Sequence, residues 1–252
     1  MSCIRCNESK TIQAHLIPQV FCKEVQVGKG HATGVKEDGS FHFSQSGTFD
    51  KGILCADCDG LLGQLEEYAS KILKYIRECS KGLNFGTKIV EGVDKEKIAR
   101  FCAGVLWKYS ITQEQYGKIN LYGFQDDVKR IAYSEMDIPE WFDVAIFRLR
   151  THAQDDGVFA YRAPFIDRKN RVRLYRFMVG GCLIFVKVHR KKMRDDVLAE
   201  LWLGYENSFR FCIAPAQQFE EFKISKDLSF KSEKLSSFLD RQDEIAKSKT
   251  YQ

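Results

Sequence analysis

Cys3-Ile4-Arg5-Cys6 and Cys55-Ala56-Asp57-Cys58 are the two stretches that decide the fold of the N-terminal half. Each is a Cys-x-x-Cys pair, a spacing that turns both sulfurs toward one point. Two such pairs supply four thiolates, the ligand set of a closed tetrahedral zinc site. We therefore predict a structural Zn²⁺ held by Cys3, Cys6, Cys55 and Cys58.

The composition is that of a globular protein with reduced cysteines. The 252 residues are 44% hydrophobic and 13% aromatic, enough for one large domain or two small ones. Nine cysteines are an odd number, and five of them stand singly in apolar stretches, which favours free thiols plus zinc over a disulfide framework. No apolar run approaches the ~20 residues that cross a bilayer, and the sequence opens on Ser2 and Cys3 without a charged and then apolar leader. We expect a cytoplasmic protein with no membrane association.

Helical periodicity begins directly after the second cysteine pair. Apolar residues recur every three or four positions from Asp59 to Lys81, which predicts a helix of about twenty residues with Cys55 and Cys58 at its entrance. A second periodic run spans 95–109, where Lys108 is expected on the outer face, and a weaker run spans 125–134. The region between the cysteine pairs is rich in glycine and is predicted to form short hairpins or a long loop.

After Trp141 the residue pattern becomes typical of β-strands. Short runs rich in Val, Ile, Phe and Tyr predict strands at 142–150, 158–165, 172–179, 182–189 and 208–213. Turn residues at 167–170 and at Gly180-Gly181 indicate an antiparallel meander, and 232–246 is predicted to be helical. The predicted class is α+β, with a zinc module at 1–80, a helical segment packed on it at 81–138, and a mostly antiparallel β-rich domain with a C-terminal helix at 139–252.

The charge balance permits a nucleic-acid partner without requiring one. The net charge is +5, from 39 Lys and Arg against 34 Asp and Glu. Basic residues gather at 168–176 and 189–194, and phosphate contacts are predicted for Arg171, Arg173, Arg176, Lys191 and Lys192. The alternative is that these residues are only the solvated ends of hairpins. The sequence leaves open a protein partner or a homo-oligomer.

Two further motifs accompany the cysteines: Ala14-His15-Leu16-Ile17-Pro18 between the pairs, and Asp59 directly after Cys58. Together with the cysteine pairs, they make residues 3–75 resemble the zinc-containing branch of the HNH endonucleases. The resemblance implies a treble-clef, or ββα-metal, fold. It also implies that His15 is the general base and that Asp59 is a ligand of a catalytic Mg²⁺ or Mn²⁺. Nucleases of this kind occur in mobile elements and phage-defence systems, so the resemblance suggests such a context.

Phosphodiester hydrolysis explains why these residue types are needed. A neutral imidazole can activate water near physiological pH, and a divalent cation offsets the charge that grows on the phosphate. Carboxylates supply the hard oxygen ligands that Mg²⁺ prefers. Glu66 lies seven residues from Asp59, about two helical turns, so it shares the face of Asp59 and is a further candidate for the site.

The sequence departs from the HNH pattern at three positions. Ala14 replaces the acidic residue that usually precedes the base, Asp59 replaces the usual His or Asn, and the middle Asn has no clear counterpart. Asp59 is also a favoured helix cap, Glu66 and Glu67 suit a solvated helix face, and His31 and His42 are either loop residues or additional site residues. Two hypotheses therefore stand: a metal-dependent endonuclease acting on DNA or RNA, and a non-catalytic zinc module that binds nucleic acid or protein.

Overall fold

The computed structural model describes residues 2–26, 29–36, 38–152, 157–169, 171–191, 199–204 and 207–250, without the side chains of 169, 242–243 and 245–250. It is a mixed α+β structure, as the sequence predicts. The N-terminal part holds β1 (Ala14–His15), α1 (Gln19–Glu24), β2 (His31–Thr33), β3 (His42–Ser44), β4 (Phe49–Asp50) and α2 (Ala56–Ser80). β1 pairs with β4 and β2 with β3, both antiparallel, so the glycine-rich region does form short hairpin-like ladders.

The remaining elements complete a central sheet and its helical cover. They are β5 (Gly86–Val90), α3 (Lys95–Ile111), α4 (Gln125–Ala132), β6 (Phe142–Arg150), β7 (Arg162–Lys169), β8 (Val172–Val179), β9 (Cys182–Val188), β10 (Phe209–Pro215), α5 (Glu220–Lys231) and α6 (Glu233–Thr250). The sheet order is β5-β10-β6-β9-β8-β7. All its pairings are antiparallel except β6 with β10, which is parallel.

The hairpin turns form where the sequence places them. Val179 pairs with Cys182, so Gly180 and Gly181 alone connect β8 to β9. Both have positive φ, +57° and +68°, the conformation that a two-residue turn of this hand requires and that glycine adopts without strain. Lys169 likewise pairs with Val172 across the β7–β8 turn, which contains Arg171 at φ +63°.

The sheet is buried on both faces. Strand alternation sends Val144 and Ile146 toward the helices α2 and α3, and sends Phe147 and Leu149 toward the opposite face, where Phe219 and Phe222 of the α5 region pack. This two-sided burial explains why the strands are almost continuously apolar. One buried cluster runs from Cys3 through α2 and α3 to the sheet, so residues of all three predicted segments share it.

Three elements were not predicted from the sequence. α1 is a short helix in the region between the cysteine pairs, which was predicted to form hairpins or a loop. β5 lies within 81–138 and forms the edge of the sheet beside β10, and α5 precedes the predicted C-terminal helix. The first strand of the β7–β8 hairpin begins at Arg162 rather than at Val158. None of the helices in the described ranges is long and apolar enough to cross a membrane.

Candidate metal centre and adjoining site

The four predicted cysteines meet at one point. The sulfurs of Cys3, Cys6, Cys55 and Cys58 all lie within 4.8 Å of one another. Cys3, Cys55 and Cys58 are buried and Cys6 is exposed, so the cluster lies at the protein surface with one open side. Within the described ranges, no other group of three or more potential metal-ligating side chains converges in this way.

The backbone around the first pair is folded into a tight turn. The Asn7 N–H donates to the Cys3 carbonyl at 2.8 Å, and Asn7 adopts a left-handed φ of +64° that Asn tolerates better than most residues. Ile4 N–H donates to Ile53 O, and Ile12 N–H donates to Leu54 O, at 2.9 Å each. These bonds fasten the turn beside the second pair, where Cys55 is the residue that precedes α2.

The protonation of the thiols depends on their local partners. Burial raises the pKa of Cys3, but hydrogen bonds from the backbone of Cys55, Cys6 and Arg5 more than offset it and lower that pKa to about 6. Burial raises the pKa of Cys58 to about 12, against the lowering effect of the Arg5 guanidinium, whose Nη1 lies 3.5 Å from the Cys58 sulfur. Zn²⁺ binds thiolates and thereby stabilises their deprotonated form. Four convergent sulfurs therefore suit a structural zinc ion.

His15 lies on β1, opposite Phe49 of β4, with its ring edge-on to the Phe49 ring at 6.0 Å between centroids. Its Nε2 is buried and has no hydrogen-bond partner among the residues that the structure describes. Burial lowers the pKa of His15, and the charge of Lys108 lowers it further, while Glu66 opposes this. The ring is therefore neutral at physiological pH, with one nitrogen that needs a partner.

The position that the sequence predicts for Lys108 is wrong. Its side chain is 1% exposed instead of lying on the outer face of α3. The ammonium Nζ donates to the carbonyl of His15 at 2.5 Å and to Glu66 Oε1 at 2.6 Å. Burial of a lysine requires such partners, because an unpaired charge away from water is strongly destabilising. Lys108 thus ties β1, α2 and α3 together.

Asp59 and Glu66 share the face of α2 that approaches Lys108. Burial raises the pKa of Asp59, with Lys108 opposing this effect and Glu66 adding to it. Among the described residues the Asp59 carboxylate has no hydrogen bond or ion pair, and it does not cap α2, whose N-cap position is Cys55 without a side-chain cap. Glu66 is paired with Lys108, so it is not part of a solvated face. Lys108 therefore lies close to His15, Asp59 and Glu66. The potential ligand atoms of these three residues do not converge as the four cysteine sulfurs do.

His31 and His42 occupy a different surface. His31 is buried and its Nε2 lies 3.1 Å from Tyr161 Oη, whereas His42 is exposed on β3. Both line a cavity beneath the C-terminal helices.

The predicted basic residues do not form one surface. Arg173 lies with its guanidinium 3.9 Å from the centre of the Tyr122 ring, while Arg176, an odd number of residues away on β8, points to the other face of the sheet. There Arg176 forms ion pairs with Asp167, Glu220 and Glu221, and the last two belong to the unpredicted helix α5. Arg171 is exposed in the β7–β8 turn and Lys191 is exposed after β9, while Lys192 lies outside the described residues.

Comparison with known proteins adds no relative. No protein-family model, no curated protein and no solved structure matches the chain.

Proposed function

We propose that the chain is an HNH-like, metal-dependent endonuclease that hydrolyses phosphodiesters of DNA or RNA, built on a zinc-bound treble-clef module. The supporting observation is the unpartnered, buried Nε2 of His15 beside the acidic face of α2. A neutral imidazole nitrogen without a partner can accept a proton from an attacking water. Leaving that nitrogen unsatisfied costs roughly 1–3 kcal/mol, which a bound water or substrate would recover.

Asp59 is the residue best suited to a divalent ion. Its carboxylate has no ion pair or hydrogen bond among the described residues, and it lies in the first turn of α2, where the helix dipole also favours a phosphate. Glu66 is the second oxygen donor, through the carboxylate that also binds Lys108. A bound Mg²⁺ or Mn²⁺ supplies charge neutralisation at the phosphate. The four cysteines contribute no chemistry; the zinc would fix the start of α2 relative to β1.

A nicking assay tests the proposal. Zinc-loaded protein is incubated with supercoiled plasmid or with structured RNA, in Mg²⁺ or Mn²⁺ and in buffer with neither. We expect cleavage only with the added ion, and a loss of about 100-fold or more in His15→Ala, the range for removal of a general base. His42→Ala, which removes an exposed histidine, is the matched control and should cleave as wild type does. Equal activity of His15→Ala and wild type would exclude His15 as the base.

The second candidate is a non-catalytic zinc module that binds nucleic acid or protein. It is favoured by the Lys108–Glu66 ion pair, because an ammonium 2.6 Å from Glu66 Oε1 repels a second cation at the same carboxylate. Absence of cleavage by wild type on both nucleic acids, together with salt-dependent binding that weakens in Arg171→Ala and Lys191→Ala, would support this candidate instead.

A further inference from the structure

A cavity of ≈ 930 Å³ lies between the β2–β3 hairpin, the end of α3, the start of β7 and the helices α5 and α6. Its size is within the range of sites for small organic ligands. The lining includes the exposed His42, Gln115 and Ile224, so the cavity opens to solvent. His15, Asp59 and the four cysteines do not line it, which separates it from the site described above.

His31 lines this cavity and has one unsatisfied ring nitrogen. The side chain is 4% exposed, and its Nε2 is bonded to Tyr161 Oη at 3.1 Å. Its Nδ1 is buried and has no hydrogen-bond partner within the described part of the chain. Most buried side-chain polar atoms in proteins have a hydrogen-bond partner, so an orphaned nitrogen of a residue that lines a cavity is a point where a ligand atom can gain a bond.

Glu221 also lines the cavity and has a second unsatisfied atom. It is 2% exposed, and its Oε1 forms ion pairs at 3.2 Å with Arg162 on β7 and with Arg176 on β8. Its Oε2 is buried, and no described residue donates a hydrogen bond to it. A carboxylate oxygen only accepts hydrogen bonds, so the group that completes it is a donor such as an N–H or O–H.

The rest of the wall is aromatic and aliphatic. Tyr109, Tyr116 and Phe159 contribute rings, and Leu228 and Leu239 contribute aliphatic surface from the two C-terminal helices. The charges of Arg162 and Glu221 offset each other, and burial lowers the pKa of His31, which keeps its ring neutral. Such a wall suits a planar, uncharged molecule that carries both donors and acceptors.

We propose that this cavity binds a purine nucleoside. A purine base has the planar π-face that packs on aromatic rings, and an amino or ring N–H that can donate to Glu221 Oε2. Its ring nitrogens or carbonyl accept hydrogen bonds. The donors are the Arg162 guanidinium and His31 Nδ1, in the neutral tautomer whose proton is on Nδ1 while Nε2 accepts from Tyr161 Oη. The ribose then lies toward the open side. The absence of net charge on the wall favours a nucleoside over a nucleotide. This site is independent of the proposed nuclease function.

Isothermal titration of the full chain with adenosine and with guanosine tests the proposal, with uridine for comparison. We expect saturable binding of at least one purine nucleoside, with uridine about tenfold weaker or more because its smaller ring buries less surface against the aromatic wall. His31→Phe keeps a planar ring without its nitrogens, and Glu221→Gln removes the charge at similar size. Each should weaken purine binding by about tenfold or more.

Two further variants make the result decisive if Glu221→Gln is unstable. Leu228→Trp on α5 fills the cavity and should abolish binding while its unfolding midpoint stays near that of wild type. His152→Phe changes an exposed histidine that does not line the cavity, and it should bind as wild type does. The proposal is overturned if neither purine binds, if uridine binds equally well, or if folded Leu228→Trp binds like wild type.

Discussion

Replacing Lys108 by methionine is the sharpest test of the site, because this one side chain holds β1 to α2. Met keeps an unbranched apolar side chain but removes the ammonium that donates to Glu66 and to the His15 carbonyl. Removing one partner of a buried ion pair costs roughly 3–5 kcal/mol, since the other charge is left unpaired. The Glu66 side chain is 20% exposed and can be partly rehydrated, so we expect a loss near the lower end, about 3 kcal/mol.

A double-mutant cycle isolates the ion pair from other effects of the substitution. Urea unfolding of zinc-loaded protein is compared for wild type, Lys108→Met, Glu66→Gln and the double variant. The double variant should be more stable than the sum of the single losses predicts, by roughly 1–3 kcal/mol. Lys118→Met, which removes an exposed lysine, should change stability by less than about 0.5 kcal/mol. Additive single losses, or a loss below about 1 kcal/mol in Lys108→Met, would refute the assigned contacts.

The same variant also tests the electrostatics of His15. Lys108 lowers the pKa of His15, so its removal should raise that pKa, as followed by the NMR signals of the imidazole ring. An unchanged or lower pKa of His15 in Lys108→Met would contradict the electrostatic effect assigned to Lys108.

Three other predictions follow from separate features. Cys55→Ser should reduce bound zinc from about one equivalent to near zero by metal analysis, and should lower the unfolding midpoint of the N-terminal half. The folded-state pKa of His15 lies below its usual value of 6.5, so the unfolded state takes up the proton first as the pH falls. The stability contributed by the neutral ring is therefore present above about pH 6.5 and is lost as the pH falls toward the folded-state pKa. Unfolding midpoints of His15→Phe should therefore vary less between pH 7 and 5 than those of wild type. Gly181→Ala should cost at least about 1–3 kcal/mol by thermal unfolding, because φ is +68° and the new Cβ would collide with the Arg148 guanidinium.

The sequence predicts well those features that depend on the local pattern of residues. The strands 142–150 and 172–179 have the predicted bounds, because their β-branched and aromatic runs end at turn residues such as Gly180-Gly181. The convergence of four cysteines was also predictable, since the spacing of each pair fixes where its sulfurs point. These signals need no knowledge of distant partners.

Other features depend on residues far apart in the chain. The five residues of β5 become a strand by pairing with β10, and the sequence of Gly86–Val90 alone does not indicate that partner. A lysine on a helix usually faces water, and the burial of Lys108 follows only from Glu66 on another helix and the carbonyl of His15. Arg176 and Arg173 are close in the sequence, but the pleat of β8 places their side chains on opposite faces of the sheet. Glu220 and Glu221 of α5 neutralise the charge of Arg176.

Arg5, between the two cysteines of the first pair, connects the candidate metal centre to a tryptophan through a chain of contacts. Its guanidinium lies 3.5 Å from the Cys58 sulfur and 4.0 Å from the centre of the Tyr133 ring, and that ring meets Trp107 edge-on at 5.4 Å. The indole is therefore only two contacts from the cluster. In a chain whose two other tryptophans, Trp141 and Trp202, are changed to phenylalanine, the emission of Trp107 would report the arrival of the metal ion in real time, without a dye or an attached label.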